Sequence, residues 1–466
     1  MAPQQDRTDG ARHPTPPKQA GIHEPRPLKA RNRKVHSMSQ MPLMSGFPSG
    51  SASLVTLANW QDPPYNRWAF QHMREVIPTH RIPRADGPPT PLPYDEHPLV
   101  PGDVTVHRIE GHPSTAEDVL AQTWTDGVVI LHDGRIVYER YDNGMTADTP
   151  HLLMSVSKSV VGCIAGILVQ QGRLDPDEQV SGYVPEVVRS GYAGATVRHL
   201  LDMRTGVAFS EEYTNPQAEV RVMERYMGWR PGKHGDEPLG MYGYLTTLGV
   251  GTSHGGPFVY RSADTDMLGW VCERAAGARM ADLISQLIWQ PIGAEFDAEI
   301  TCDGVGSAIH DGGMSARARD MARFGQLLLD DGAVNGSPVV PKKWLSQARI
   351  IDPDIRAAFA ASDSEPFLTG GWYRNQFWFM PGVVGDLQVC LGIHGQMVLV
   401  DRATRTVSVK LSSWPAAQNP VYLLDTVRAF AAAGQHLAGL ATRTAQDPAN
   451  LTGPIGVVEG RERGHS

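Results

Sequence analysis

Ser155 and Lys158 stand three residues apart in His151-Leu-Leu-Met-Ser-Val-Ser-Lys-Ser159. A serine hydroxyl is almost fully protonated at neutral pH, so it attacks a carbonyl only with help from a base or a nearby charge. An apolar run follows at once, with Val160, Val161, Cys163, Ile164, Ile167 and Leu168. Apolar positions recurring at three and four residues predict a buried helix. Residues three apart share one helix face, which sets the Lys158 ammonium beside the Ser155 hydroxyl. A serine at the helix start also meets free backbone N–H groups, which favour negative charge. The chemistry would be nucleophilic, with Ser155 acylated and then freed by water. The bland alternative is a capping serine with a solvated lysine in the first turn, and Ser157 and Ser159 could cap equally well.

A base is needed, and Tyr260-Arg-Ser262 is the strongest candidate. It follows a Gly-rich stretch and precedes a predicted helix over Asp266 to Ala275. A tyrosine beside an ammonium ionises more easily, because opposite charge favours the phenolate. Tyr260 is therefore expected to take the Ser155 proton and return it to the leaving group. The competing reading is a half-buried tyrosine ending a strand. Gly251-Thr-Ser-His-Gly255 also fits the nucleophile-elbow pattern, but Gly256-Pro257 follows directly. That motif works only on a sharp strand-to-helix turn, so this copy reads as a loop.

The elements that must position these groups are strands early and late, with a helical middle. Val128 to Tyr141 reads as two strands around Asp133-Gly134, as do Gln396 to Asp401 and Thr406 to Ser412 around Arg402 to Arg405. Predicted helices cover Val197 to Met203, Leu268 to Ala276, Met280 to Trp289, Ala316 to Leu329 and Val421 to Leu440. This order implies an α/β domain interrupted by a helical one, with a site in the cleft between them.

The chain has 466 residues, enough for two domains, and its 41 % hydrophobic and 20 % charged residues suit a soluble globular protein. A net charge of −8 argues against nucleic acid as a partner. No stretch is long and apolar enough to span a membrane, and the first fifty residues hold no signal-peptide core, which points to the cytoplasm. Cys163, Cys272, Cys302 and Cys390 are scattered, so neither a zinc site nor a disulfide framework is indicated. Within the first fifty residues, eight Arg or Lys oppose three acidic residues amid many prolines, and Arg26 to Lys34 is a basic cluster. Residues 1–57 and 441–466 are expected to be loose tails.

Longer stretches carry a resemblance. They include Trp60-Gln-Asp-Pro-Pro-Tyr-Asn-Arg-Trp-Ala-Phe70, His151 to Ser159, Tyr183-Val-Pro-Glu186, Gly228-Trp-Arg230 and His234-Gly-Asp236. Tyr260 to Asp266, Gly392-Ile-His-Gly-Gln396 and Val409-Lys-Leu-Ser-Ser-Trp-Pro415 continue the series in order. Together they resemble the serine β-lactamase and penicillin-recognising superfamily, and more narrowly its 6-aminohexanoate-dimer hydrolase family. The resemblance implies an α/β class with a β-lactamase-like fold, an antiparallel sheet flanked by helices plus an inserted all-helical domain. The α/β part would comprise residues 58–172 and 301–440, and the insertion 173–300.

It also implies roles. Ser155 would be the nucleophile, Lys158 and Tyr260 the acid–base pair, and the N–H groups of Ser155 and Ile393 the oxyanion hole. Tyr213 would close over the substrate amide. Glu224 falls where the family can carry an aspartate and would pair with a substrate ammonium. Asp311 stands where that family can have a neutral residue. His394 is expected to orient the oxyanion strand rather than act as a triad base. Trp372 and Trp378 lie in an aromatic segment that either walls an acyl pocket or packs the core. The family's Lys-Thr-Gly box is replaced by Cys390-Leu-Gly392 and its Tyr-x-Asn by Tyr260-Arg-Ser262, which removes groups that recognise a β-lactam carboxylate. The expected activity is hydrolysis of short linear amides or carboxylic esters through a Ser155 acyl-enzyme, without a cofactor. The alternatives are a general carboxylesterase and a sensor-like module that stays acylated. The partner is a small-molecule substrate, with no membrane or nucleic acid, and family analogy implies a homodimer.

Overall fold

The computed structural model describes residues 43–46, 48–232 and 239–439. A seven-stranded antiparallel sheet forms the frame. Its spatial order is Trp372–Arg374, Phe377–Pro381, Asp386–Gly392, Gln396–Asp401, Thr406–Ser412, Thr125–His132 and Arg135–Tyr141. The two predicted hairpins are therefore neighbours, with Val409 opposite Val129. The run Val128-Val-Ile-Leu131 lacks alternation because both faces of the sheet are covered. Val129 and Leu131 enter one core with the helix Ala318–Leu329, while Val128 and Ile130 enter a second core with Ala116–Gln122 and Pro420–Leu437. Successive strand residues point to opposite faces, so a strand buried on both sides reads as continuously apolar.

Ala318–Leu329 lies close on the sheet because Gly325 has no side chain. A Cβ there would stand 2.3 Å from Val407 Cγ1. The helix Val156–Gln170 is buried nearly all round, from Val156 to Leu168. Such a helix belongs in the interior rather than on a face. It packs against the helix Ser262–Ala276 and the sheet.

Between them lie the expected helices, including Val197–Leu201, Glu219–Tyr226, Gly240–Leu245 and Met280–Ile284, the last continuing as a π-turn through Trp289. Buried residues of this region share one apolar core with the Val156–Gln170 helix. A second, small sheet was not foreseen: Thr79–Ile82, Ala298–Thr301, Met314–Ala316 and His151–Leu152 pair antiparallel. Strands of two to four residues are too short to show a period.

The packed chain also begins earlier than residue 57. Val55 is buried, and Leu43, Met44 and Leu57 rest on the core. Those apolar side chains anchor a segment whose composition had read as tail. The basic cluster 26–34, the 441–466 tail and His234 to Asp236 lie outside the described residues. Among the described residues, no helix is long and apolar enough to cross a membrane.

Gly325→Ala tests the sheet contact. Helix propensity favours alanine by about 0.8–1.0 kcal/mol, but overpacking against a stiff valine costs about 1–3 kcal/mol. The variant should therefore be destabilised by about 1 kcal/mol in urea unfolding. A gain in stability would show that Val407 yields freely.

Candidate active site

Ser155 sits at the N-terminal end of its helix. The preceding residue, Met154, is held at φ 48°, a conformation uncommon for a non-glycine side chain. The chain enters this turn from the short strand His151–Leu152, and Leu153 N–H donates to Met314 O at 2.8 Å. The turn is closed from the other side by Gly392, the end of the Asp386–Gly392 strand. A Cβ on Gly392 would lie 2.6 Å from Leu153 O and 3.1 Å from Met154 Cβ. This close approach brings Ile393 into the same cleft as Ser155.

Lys158 is 1 % exposed. Its ammonium donates to Ser155 Oγ at 3.0 Å, Ser262 Oγ at 3.1 Å and Asp311 O at 2.7 Å, with Asp311 Oδ2 at 3.5 Å. Burial pulls its pKa down, but Tyr260, Asp311, Glu211 and Asp266 together outweigh it and hold the amine above the ordinary lysine value. Lys158 is thus a cation at rest. Tyr260 lies with its ring centroid 5.3 Å from that ammonium, and both Lys158 and Ser155 act on its phenol. Its pKa nevertheless moves opposite to the sequence expectation. Burial pushes the phenol up, and the pull of Lys158 and Ser155 does not compensate. Tyr260 therefore rests protonated.

Two further carboxylates complete the charge shell. Glu211 Oε1 accepts from Ser262 Oγ at 2.5 Å and Tyr213 Oη at 2.7 Å, and its Oε2 from Ser262 N–H at 3.1 Å. Burial raises the Glu211 pKa against the influence of Lys158 and these donors. Asp266 is fully buried, and its Oδ1 accepts from His310 and Asp311 N–H at 2.9 and 3.0 Å. Burial first, then the neighbouring Asp311 carboxylate, push its pKa well up, toward the neutral acid. Neither Glu211 nor Asp266 was singled out from the sequence. Each meets the site only through tertiary contacts, although Asp266 shares the Ser262 helix one turn on.

The cleft beside Ser155 is lined by Met154, Tyr213, Val220, Met223, Met227 and Trp229, with Glu224, Asp311, Gly312 and Ile393. Val220, Met223 and Met227 follow helical spacing on and just beyond Glu219–Tyr226, a signal present in the sequence but not used. Glu224 does reach the cleft, yet its carboxylate is already bound by Arg221 and Arg230. Those arginines occupy the carboxylate that was expected to pair with a substrate ammonium.

Trp378 is stacked on Tyr260, with centroids 5.2 Å apart and planes at 27°. It braces the phenol and is not among the residues lining the cleft. Trp372 is fully buried and donates to Ala348 O at 2.9 Å, which is core packing. His394, at φ 59°, bonds through Nδ1 to Trp414 O at 2.7 Å. Burial pushes its ring pKa down to about 4, so it is a neutral strut beside Ile393. Ser253 is exposed on a loop tied to Gly206, as expected of the false elbow.

A buried serine, an ammonium and a phenol thus meet beside one cleft, a candidate serine acyl-transfer site on a β-lactamase-like frame. Residues 114–433 match the Beta-lactamase family, and the chain belongs to that family of serine hydrolases. It is 38 % identical over 369 residues to the 6-aminohexanoate-dimer hydrolase of Paenarthrobacter ureafaciens, covering 79 % of this chain and 91 % of that protein. A solved Bacillus anthracis structure, provisionally given the same activity, superposes with a TM-score of 0.77 at 27 % identity. That match covers 84 % of this chain and 100 % of the other. A family VIII carboxylesterase shares the fold, with a TM-score of 0.52 at 16 % identity, covering 68 % of this chain and 95 % of that one.

Trp378→Ala sets the pocket-wall reading against a bracing role for Tyr260. As a brace for Tyr260, its loss should lower kcat on an ester substrate with KM nearly unchanged. A raised KM with intact kcat would make it a substrate contact instead.

Proposed function

We propose that this protein hydrolyses short linear amides and carboxylic esters through an acyl-enzyme on Ser155. The observation that carries the reading is the Lys158 ammonium, buried and donating to Ser155 Oγ at 3.0 Å. A lysine that already donates to the nucleophile and is held charged is not the resting base. It lowers the cost of negative charge on Ser155 and on Tyr260. Tyr260 first loses its phenol proton to solvent water; the phenolate then takes the Ser155 proton and passes it to the leaving group. The N–H groups of Ser155 and Ile393 receive the charge that develops on the substrate oxygen, a contribution worth about 3–4 kcal/mol per donor where it has been measured. Tyr213, held by Glu211, covers the cleft, while Glu224 and Asp311 shape its polar wall and Trp378 supports Tyr260.

The linear 6-aminohexanoate dimer is the amide to test, after the Paenarthrobacter relative. A cytoplasmic setting suits four cysteines that are all free and buried. The homodimer rests on family analogy alone, and the division into an α/β domain and a helical insertion belongs to the same reading.

Purified enzyme should turn over p-nitrophenyl acetate steadily and the linear dimer, whose acyl part carries an ammonium, more slowly, and Ser155→Ala should abolish both while circular dichroism stays unchanged. Turnover retained by that variant removes the assignment. A burst without steady turnover would favour the sensor-like alternative. Because Tyr260 rests protonated, kcat/KM should climb as pH rises above neutrality. Tyr260→Phe should lose about 10²–10⁴ in rate and flatten that limb. A rising limb that survives in Tyr260→Phe would assign the base elsewhere.

A further inference from the structure

Glu224 carries more than its position in the cleft implies. An ionised carboxylate offers about four lone-pair sites. On Glu224 four contacts from three donor nitrogens, Arg221 Nη1, Gln61 Nε2 and Arg230 Nε, approach them. Oε1 accepts from Arg221 Nη1 at 2.8 Å and from Gln61 Nε2 at 3.2 Å. Oε2 accepts from Arg221 Nη1 at 2.9 Å and from Arg230 Nε. Gln61 closes the ring, because its Oε1 accepts from Arg221 at 3.0 Å and Arg230 at 3.3 Å.

Two guanidiniums thus face one carboxylate, and this clamp carries a net positive charge. The Glu224 side chain is only 5 % exposed, so solvent screens the cluster weakly. A substrate ammonium arriving here meets a Glu224 carboxylate already engaged by three donor nitrogens and the net positive charge of the clamp. The adjoining wall of Val220, Met223, Met227 and Trp229 is apolar. Arg221 also ties the clamp to the site, since it lies 5.2 Å from the Tyr213 ring centroid and its Nε donates to Tyr213 O at 2.9 Å.

We propose that the Gln61–Arg221–Glu224–Arg230 clamp makes this cleft select uncharged aliphatic acyl groups over ammonium-bearing ones, with Arg230 as a specificity-determining residue. This selectivity rests on the Ser155 hydrolase reading. Glu224 is spent on the arginines, and the amine-recognition role open to a free carboxylate at this position is closed.

The test uses the full chain and two esters with one leaving group and one chain length, p-nitrophenyl 6-acetamidohexanoate and p-nitrophenyl 6-aminohexanoate. Non-enzymic rates are subtracted. The neutral ester should have a kcat/KM at least about tenfold higher, and added salt should narrow the gap. Arg230→Gln frees an acceptor site on Glu224 and removes a charge, so the ratio should fall by about tenfold, whereas Arg230→Lys should keep most of it. Equal rates or a preference for the ammonium ester in the wild type overturns the proposal, and so does a ratio unchanged in a folded Arg230→Gln. If the glutamine variant fails to fold, the wild-type ratio decides. If neither ester is turned over, or if Ser155→Ala keeps turnover, the hydrolase reading itself falls and this inference falls with it.

Discussion

A full positive charge sits almost without water in the centre of this site, and the surroundings are organised to hold it. Moving an unpaired ammonium into a protein interior costs several kcal/mol even after relaxation. Lys158 avoids that cost by donating to three oxygens and approaching a fourth. Those oxygens come from three separate places: the turn of the same helix, the start of the Ser262–Ala276 helix, and the loop at Asp311. Holding the ammonium therefore holds those three pieces of chain together. The contact of Lys158 with Ser155 Oγ is one of these bonds.

The count of carboxylates around that cation follows the same constraint. Asp311, Asp266 and Glu211 all act on Lys158. Three ionised carboxylates around one ammonium would leave excess negative charge in a low-dielectric region. Asp266, which is fully buried and lies against Asp311, is displaced furthest toward its neutral form. Asp311, which touches the ammonium, is the ion-pair partner. Tyr260 feels both effects, as burial raises its pKa while Lys158 lowers it. The balance keeps the phenol neutral in the resting protein, with the Lys158 ammonium 5.3 Å from its ring.

Ser155 and Lys158 were legible because three-residue spacing on a helix is a local fact. The hairpins were legible for the same reason, through alternation and an Asp-Gly turn. Tyr260 was reached through its neighbours' motif, but its titration was not, because the opposing effect comes from packing by Trp378, Tyr373 and Phe258 that spacing does not reveal. The Ser262–Ala276 helix begins several residues before its apolar pattern does. Its first turn, Ser262-Ala-Asp-Thr265, read as a loop, yet all four residues are buried, Ser262 against Lys158 and Asp264 and Thr265 against Thr205 and Gln376. The partners of Glu224 show the limit most plainly. Arg221 lies one turn away and could have been read as an i,i+3 pair, but Gln61 and Arg230 arrive from other segments.

The strand that edges the site shows how one residue type sets the available recognition. Where related sites carry Lys-Thr-Gly, this chain has Cys390-Leu-Gly392. Cys390 is fully buried in the core beneath the Ser155 helix, and burial pushes its thiol pKa up to about 12. It is therefore a small apolar filler and offers no cation to a substrate carboxylate. Gly392 alone keeps its geometric task, since any side chain there would strike Leu153 O and Met154. The backbone donor edge is thus retained while the cationic recognition group is lost. An acyl-transfer centre can keep its nucleophile and oxyanion donors fixed by such close backbone contacts while its preference among substrates is rewritten by side chains that the chemistry does not use.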